Sequence, residues 1–212
     1  MNRPKIKVCG LKTNAPAVIG LEPNYVGFIF FKGSSRYFEG LPPEVAAGIG
    51  KVGVFVNHDL EQILAKVEQF QLDVVQLHGE ESNRFAADLR GILSEQGMES
   101  TKIWKAFGVD ADFDFSRIQA YTSSIDAVLL DTKGILRGGN GIPFDWNLLK
   151  DYQSDLPIVL SGGIGPESVP EIKQLLKSDL PIEVIDINSR FEIEPGFKNI
   201  QHIKNFIDEL SR

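Results

Sequence analysis

The chain has 212 residues, of which 42% are hydrophobic and 24% charged, and this composition is typical of a globular protein rather than a disordered one. Its 22 basic and 29 acidic residues give a net charge of −7, which argues against binding to a nucleic-acid backbone or a membrane surface. One cysteine excludes an internal disulfide framework and a Cys-rich zinc site. With neither an evident signal peptide nor a long apolar run, we expect a cytoplasmic protein without nucleic-acid or membrane partners.

Eight short apolar runs recur along the chain at fairly even spacing. They are rich in Val, Ile, Leu and Phe, and most are continuous, as in strands that are covered on both faces. The runs are residues 6–9, 25–30, 52–56, 74–77, 103–107, 127–130, 158–160 and 184–187. Segments with helical spacing lie between them. In residues 60–70 and 200–210, for example, the hydrophobic side chains share one face.

Strands that alternate with helix-compatible segments form a parallel sheet. A doubly wound open sheet usually has five or six strands and a glycine-rich first turn, and the first turn here, Cys9-Gly10-Leu11-Lys12, lacks that pattern. A closed barrel uses eight units, and 212 residues lie near its lower size limit. We therefore predict the α/β class, with residues 1–212 forming a single (β/α)8 TIM barrel of eight parallel strands.

Active sites of such barrels lie at the carboxyl ends of the strands. Polar or reactive residues stand at or after these ends in this chain, each closing an otherwise apolar run. They are Cys9, Arg36, His78, Asp131, the turn Ser161-Gly162-Gly163-Ile164-Gly165, and Ser189 with its neighbours. We take this set as the candidate site.

Cys9 is a candidate general base. Strand alternation places Lys5, Lys7 and Cys9 on one face, so Lys7 lies about 7 Å back from Cys9 at about 3.3 Å per residue. If that face points into the barrel, we expect the ammonium to lower the pKa of the thiol toward neutrality. The alternatives are a buried cysteine that serves only as a small hydrophobe and a lysine that reaches solvent.

Asp131 is a candidate general acid. It ends an apolar run, and an apolar barrel mouth would raise the pKa of its carboxyl and keep it protonated. It could instead simply cap the next loop. The three histidines, His58, His78 and His202, are scattered along the chain, so we expect no metal site.

The glycines after strand 7 and the arginine after strand 2 suggest anion binding. Gly162 and Gly163 would let backbone amides approach a phosphate, which this fold commonly binds after strands 7 and 8. A tight turn without a ligand would also need glycine. Arg36 suits bidentate recognition of a carboxylate, unless it is a solvated loop arginine.

Taken together, these segments resemble the phosphoribosylanthranilate isomerase family of tryptophan biosynthesis. The matching stretches occur in family order over nearly the whole chain. They are Lys7-Val8-Cys9-Gly10-Leu11, Gly27-Phe28-Ile29-Phe30 with Ser34-Ser35-Arg36-Tyr37, Val52-Gly53-Val54-Phe55-Val56-Asn57, Val75-Gln76-Leu77-His78-Gly79, Leu129-Leu130-Asp131-Thr132, Gly138-Gly139-Asn140-Gly141 with Phe144-Asp145-Trp146, Leu160-Ser161-Gly162-Gly163-Ile164, and Pro195-Gly196-Phe197-Lys198-Asn199.

The resemblance implies an Amadori rearrangement of N-(5-phosphoribosyl)anthranilate that uses no cofactor. By position, Asp131 would be the general acid and Cys9 the general base. Arg36 would hold the anthranilate carboxylate, and His78 would line the pocket without a specified role. The phosphate would bind at Gly162, Gly163 and the loop after strand 8. A monomer or a homodimer with a small phosphorylated substrate is expected.

One departure from the family pattern lies after strand 8. The family usually has two small residues and a glycine before Val-Glu, whereas this chain reads Asn188-Ser189-Arg190-Phe191-Glu192. We expect the Arg190 guanidinium to add a phosphate contact beside Ser189. The alternative is that Arg190 points to solvent and the loop shifts.

Other functions fit less well. A ribulose-phosphate epimerase would need metal-binding histidines at strand ends, and a histidine-pathway sugar isomerase would need an aspartate where this chain has Cys9. A catalytically silent barrel that only binds a phosphorylated ligand is the remaining alternative, but binding alone requires neither Cys9 nor Asp131.

Overall fold

The computed structural model describes residues 3–133 and 144–212. Eight parallel strands form a closed barrel in which each strand pairs with its neighbours in chain order and β8 pairs with β1. The strands are β1 Lys5–Val8, β2 Tyr25–Ile29, β3 Gly50–Phe55, β4 Val74–Leu77, β5 Lys102–Val109, β6 Ala127–Thr132, β7 Ile158–Leu160 and β8 Ile182–Ile187. The predicted barrel and all eight predicted strands are therefore confirmed.

Helices lie between the strands on the outside of the barrel. They are α1 Ala15–Ile19, α2 Leu60–Phe70, α3 Asn83–Glu95, α4 Val169–Leu175 and α5 Ile200–Leu210, with 3-10 turns at Phe115–Tyr121, Trp146–Asp151, Pro166–Ser168 and Ser189–Phe191. Side chains fix where the longer helices begin: Asp59, Ser82 and Asn199 each accept a hydrogen bond from a backbone amide of the first turn. None of the described helices is long and apolar enough to span a membrane.

The apolar core has two layers. The larger layer fills the space between the strands and the helices, and it includes Val8, Phe28, Leu77, Leu130 and Ile187. A smaller cluster fills the barrel interior. Its members, contributed by alternate strand positions, are Val52, Val74, Trp104, Ala106, Ala127, Leu129, Val159 and Val184.

The connection between β2 and β3 differs from the expected pattern. Residues 31–49, all of which are described, form turns and extended segments but no helix. Pro42 and Pro43 lack the amide hydrogens that a helix needs, and Gly40 and Gly48 have positive φ values of 131° and 94°. This segment instead folds back on β2, where Phe38 donates its backbone N–H to the carbonyl of Ile29.

A buried ion pair fixes the loop that follows β4. The ammonium of Lys105 lies 3.1 Å from the carboxylate of Glu81 and donates to the carbonyl of Gly79 at 2.8 Å. Glu81 also accepts the backbone N–H groups of Asn57 and Gly79. These contacts hold the chain immediately after His78 in one conformation.

The last strand pair lies beside the mouth of the barrel. After β8, the chain forms a short antiparallel hairpin of β9 Glu192–Glu194 and β10 Phe197–Lys198. The side chain of Asn14, before α1, accepts the N–H of Lys198 and donates to its carbonyl. The hairpin is thereby tied to the loop after β1.

Candidate active site

The predicted site residues gather at one end of the barrel. Since all eight strands are parallel, their carboxyl ends open on the same face. The residues that sequence reasoning selected lie at or after the ends of six of these strands. They are Cys9 after β1, Arg36 after β2, His78 after β4, Asp131 at the next-to-last position of β6, Gly162 and Gly163 after β7, and Ser189 and Arg190 after β8. The motif at residues 138–141 lies outside the described residues.

Cys9 is buried directly beside Lys7. The Cys9 backbone N–H donates to the carbonyl of Ile187, which continues the β1–β8 pairing. The neighbouring position on β2 is Gly27, where a Cβ would lie 2.9 Å from the Cys9 Sγ and 3.2 Å from the Lys7 Cε. The absence of a side chain at Gly27 therefore gives the thiol and the lysine the space that they share.

Burial raises the pKa of the Cys9 thiol above its ordinary value. The Lys7 and Lys198 ammonium groups act in the opposite direction, but Asp186 opposes them and burial prevails. The prediction that Lys7 brings the pKa of this thiol toward neutrality is therefore wrong. The sequence pattern did not reveal that burial would strip the thiolate of its solvation.

Lys7 belongs to a polar layer inside the barrel. Its side chain is fully buried, so the alternative in which it reaches solvent is excluded. The ammonium donates to Asp186 Oδ2 at 2.8 Å and to Gln76 Oε1 at 2.9 Å. Burial works to lower the pKa of Lys7, but Asp186 and Cys9 outweigh it and raise the pKa above its usual value. Lys7 is therefore a cation at neutral pH.

Asp186 also has one oxygen directed at no described partner. Its Oδ2 binds Lys7 and lies 3.5 Å from the Ser161 hydroxyl, whereas its buried Oδ1 has no hydrogen-bond partner among the residues that the structure describes. A buried acceptor without a donor is costly. This oxygen is suited to accept a hydrogen bond from a hydroxyl group of a ligand.

Asp131 and His78 face each other across the barrel mouth. His78 Nε2 lies 3.4 Å from Asp131 Oδ2, and the other carboxylate oxygen accepts the N–H of Thr132 at 2.8 Å. The Asp131 side chain keeps 19% of its exposure. The contacts of this carboxylate are thus polar and partly solvated, not the apolar surroundings that the sequence analysis expected.

Arg36 is held by an internal carboxylate. Its Nε lies 3.0 and 2.9 Å from the two oxygens of Glu192, and its Nη2 lies 2.7 Å from Glu192 Oε2. Glu192 Oε1 also accepts the Lys198 ammonium at 2.7 Å. Within the described part of the chain, Nη1 of Arg36 has no hydrogen-bond partner, so the guanidinium is fixed in orientation while one nitrogen remains available to an anion.

The turn after β7 lies against Asp131. Gly162 and Gly163 have φ values of 82° and 63°, which side chains rarely tolerate. A Cβ at Gly162 would lie 2.5 Å from the Thr132 backbone nitrogen and 2.8 Å from Asp131 Oδ1. Glycine is therefore required here by both the turn and its closeness to the carboxylate.

Arg190 lies beside this turn, and Ser189 precedes it in the loop after β8. Ser189 opens the 3-10 turn Ser189–Phe191, and the Arg190 guanidinium lies 3.5 Å from the carbonyl of Gly163. Arg190 also pairs with Glu167 at 2.8 Å. Arg190 thus lies beside the glycine turn and is paired with a carboxylate.

Sequence reasoning missed several residues of this site. Gln76, Glu192 and Lys198 were quoted only as parts of longer stretches, and Asp186 lay unnamed within the last apolar run, residues 184–187. One signal could have found Gln76 and Asp186: each is a polar residue at an inward-facing position of an apolar strand, as Lys7 is. Glu192 and Lys198 lie in the hairpin, whose position follows from tertiary contacts.

No cluster of three or more His, Cys, Asp or Glu side chains suited to a metal ion occurs in residues 3–133 and 144–212. Cys9 and Asp131 are the candidates for proton transfer, and Arg36 and the glycine turn are the candidates for binding anions.

This chain is similar to known proteins over nearly its whole length. A family model described as N-(5'phosphoribosyl)anthranilate (PRA) isomerase matches residues 6–209. The N-(5'-phosphoribosyl)anthranilate isomerase of Parabacteroides distasonis is 38% identical over 213 positions, which cover 97% of this chain and 92% of the relative. The phosphoribosyl anthranilate isomerase of Thermus thermophilus superposes with a TM-score of 0.80 at 25% identity, over 98% of both chains. A crystal structure of such an isomerase with reduced 1-(o-carboxyphenylamino)-1-deoxyribulose 5-phosphate superposes with a TM-score of 0.73 at 30% identity, again over 98% of both chains.

Proposed function

Because this chain belongs to the N-(5'-phosphoribosyl)anthranilate isomerase family, and is thus an isomerase of tryptophan biosynthesis, we propose that it performs the Amadori rearrangement with Asp131 as general acid and Cys9 as general base. The substrate is N-(5-phosphoribosyl)anthranilate, and the product is 1-(2-carboxyphenylamino)-1-deoxy-D-ribulose 5-phosphate.

The first step opens the ribose ring. Asp131 donates its proton to the ring oxygen while the nitrogen lone pair forms a double bond to C1, which breaks the C1–O bond and yields a protonated Schiff base. The Asp131 carboxylate that remains lies within reach of two donors, His78 Nε2 and the Thr132 N–H. These donors stabilise the charge that the step leaves behind.

The second step removes the proton from C2. The Cys9 thiolate takes it, and the electrons of the C–H bond move toward the Schiff base to give an enolamine. The enolamine tautomerises to the ketone, losing its hydroxyl proton and gaining one at C1. Each step is a proton transfer, so the proposed reaction requires no cofactor and no metal.

Binding groups surround these two residues. We propose that Arg36, oriented by Glu192, holds the anthranilate carboxylate through its remaining nitrogen. The amides of Gly162 and Gly163, with Ser189 and Arg190, hold the phosphate. Arg190 would then exchange or share its contact with Glu167 when the phosphate binds.

One observation carries this proposal. Two side chains able to transfer protons face the same barrel mouth from opposite sides, and a buried polar layer joins them through His78, Gln76 and Lys7. A barrel that only bound a phosphorylated ligand would need the anion-binding groups but not this connection.

The proposal extends to the protein's setting. A thiol that must remain reduced to act as a base favours the cytoplasm, where disulfides are rare. The net charge of −7 makes a nucleic-acid or membrane partner unsuitable. Assembly as a monomer or a homodimer stays a prediction.

The test is a fluorescence assay that follows the loss of freshly generated N-(5-phosphoribosyl)anthranilate by the purified protein in the presence of a chelator. We expect turnover that neither added metal nor added cofactor increases. Binding of the reduced product analogue is measured in parallel by calorimetry. Binding without turnover would overturn the proposal in favour of the silent barrel, and loss of turnover in the chelator would contradict the absence of a metal.

A further inference from the structure

We propose that Lys7 and Gln76 set the proton position on His78, so that its Nε2 always presents a hydrogen to Asp131 and cannot take the proton that Asp131 must deliver to substrate. Gln76 and Lys7 are thus positioning residues that act through His78. The inference deepens the proposed function, on which the catalytic part of it rests, and its structural part is tested without turnover.

The direction of the hydrogen bonds follows from Lys7. Its ammonium can only donate, and it lies 2.9 Å from Gln76 Oε1, inside a fully buried layer where Asp186 keeps it charged. The amide of Gln76 cannot flip, because its NH2 group would then face the ammonium. The oxygen of Gln76 therefore points to Lys7 and its nitrogen points away.

The Gln76 nitrogen points at His78. Gln76 Nε2 lies 2.8 Å from His78 Nδ1, and since an amide nitrogen only donates, Nδ1 must be the acceptor and carry no hydrogen. A neutral imidazole then bears its hydrogen on Nε2. That nitrogen lies 3.4 Å from Asp131 Oδ2. Three residues on β1 and at the end of β4 thus fix the donor that faces the acid on β6.

This direction has a chemical consequence. If Nε2 were bare, the imidazole would be a base next to the proton of Asp131, and transfer of that proton would give an imidazolium–carboxylate pair with no acid left for the ring oxygen. With Nε2 protonated and Nδ1 occupied by Gln76, His78 has no site that accepts the proton. His78 therefore does not compete with the substrate for the proton of Asp131.

The wild-type test uses nitrogen-15 NMR of histidine-labelled protein at about pH 8.5, well above the ordinary histidine pKa of about 6.5. The chain has three histidines, so a His78→Gln variant identifies the signals of His78 by their loss. We expect a protonated Nε2 and a bare Nδ1. A proton on Nδ1 would overturn the inference.

The second test reverses the hydrogen bond between residue 76 and His78. In Gln76→Glu, a carboxylate replaces the amide donor and accepts from both Lys7 and His78, so we expect a hydrogen on His78 Nδ1. The exposed Gln62→Glu on α2 adds the same charge and should leave His78 unchanged. An unaltered Nδ1 in a folded Gln76→Glu variant would overturn the inference; if that variant fails to fold, the wild-type spectrum alone decides.

Turnover distinguishes this inference from the proposed function. If Nε2 is protonated but the protein does not convert the substrate, the hydrogen-bond direction stands and the proposed function fails. If the protein turns over while Nδ1 carries the hydrogen, the function stands and the role of Lys7 and Gln76 fails.

Discussion

Among single residues, the buried Lys7 acts directly on the pKa of the Cys9 thiol beside it. Lys7 opposes the rise that burial causes in the pKa of Cys9, so removing its charge in Lys7→Met raises this pKa further. Because a general base is active only as thiolate, the thiolate fraction increases with pH, and a higher pKa moves the rising limb of kcat/KM to higher pH. We expect this alkaline shift in the pH–rate profile of Lys7→Met.

The matched control lies two residues earlier on the same strand. Lys5 is exposed and only loosely paired with Glu183 at 3.9 Å, so Lys5→Met should leave the limb in place. A limb that stays fixed in Lys7→Met, or that moves to lower pH, would show that the lysine does not act on the catalytic base.

The carboxylate of Glu192 holds the guanidinium of Arg36, and the effect of this contact on substrate binding can be tested. Glu192 keeps the guanidinium in one orientation before substrate arrives, and preorganised groups bind more tightly because less freedom is lost. Glu192→Gln removes the charge at nearly constant shape. We expect KM to rise about tenfold, equivalent to about 1.4 kcal/mol, with a smaller change in kcat.

A second substrate shows whether Glu192→Gln acts through the orientation of Arg36 or through a general loss of activity. A substrate with aniline in place of anthranilate lacks the carboxylate, so its kcat/KM should be nearly the same in Glu192→Gln and in the wild type. Glu194→Gln, an exposed change on the same short strand, is the control. An equal loss for both substrates would contradict a role of Glu192 through Arg36.

At the scale of elements, the turn after β7 is coupled to the strand that ends in Asp131. Alanine at Gly162 would strain a φ of 82° and push against Thr132 and Asp131. We expect Gly162→Ala to cost about 1–2 kcal/mol of stability through the backbone strain. A displacement of about 1 Å at the acid would lower kcat about 100-fold.

A second glycine shows what the same change does without contacts. A Cβ at Gly91, inside helix α3, would meet nothing within 4 Å. Gly91→Ala should therefore raise the free energy of unfolding by about 1 kcal/mol, seen as a higher thermal midpoint, and leave kcat unchanged. Similar kcat values for the two alanine variants would refute the coupling between the turn and Asp131.

The elements themselves were largely predictable from sequence. Continuous apolar runs mark strands covered on both faces, and one-sided periodicity gave residues 60–70 and 200–210 as the helices that the structure contains. The segment after β2 could not be assigned in the same way. Its prolines and glycines exclude a helix, but the fold-back onto β2 depends on the contact between Phe38 and Ile29.

In the molecule as a whole, the closed barrel explains why the site residues could be predicted from the sequence, whereas their chemical environments could not. Eight parallel strands bring every carboxyl end to one face, so position in the chain was sufficient to select Cys9 and Asp131. Their environments depend on partners far along the chain. Lys7 meets Asp186 through the β1–β8 pairing, and Arg36 meets Glu192 through the hairpin after β8. No local pattern predicts such contacts.

Turnover of Asp131→Asn and Cys9→Ala shows most plainly whether Asp131 and Cys9 transfer the protons. We expect each change to lower kcat by about 100- to 10,000-fold, the usual contribution of a general acid or base. Asp112→Asn, an exposed change on the loop after β5, should retain full activity. If either site variant turned over within about tenfold of wild type, a loss well below that usual contribution, the residue concerned would not be the proposed acid or base.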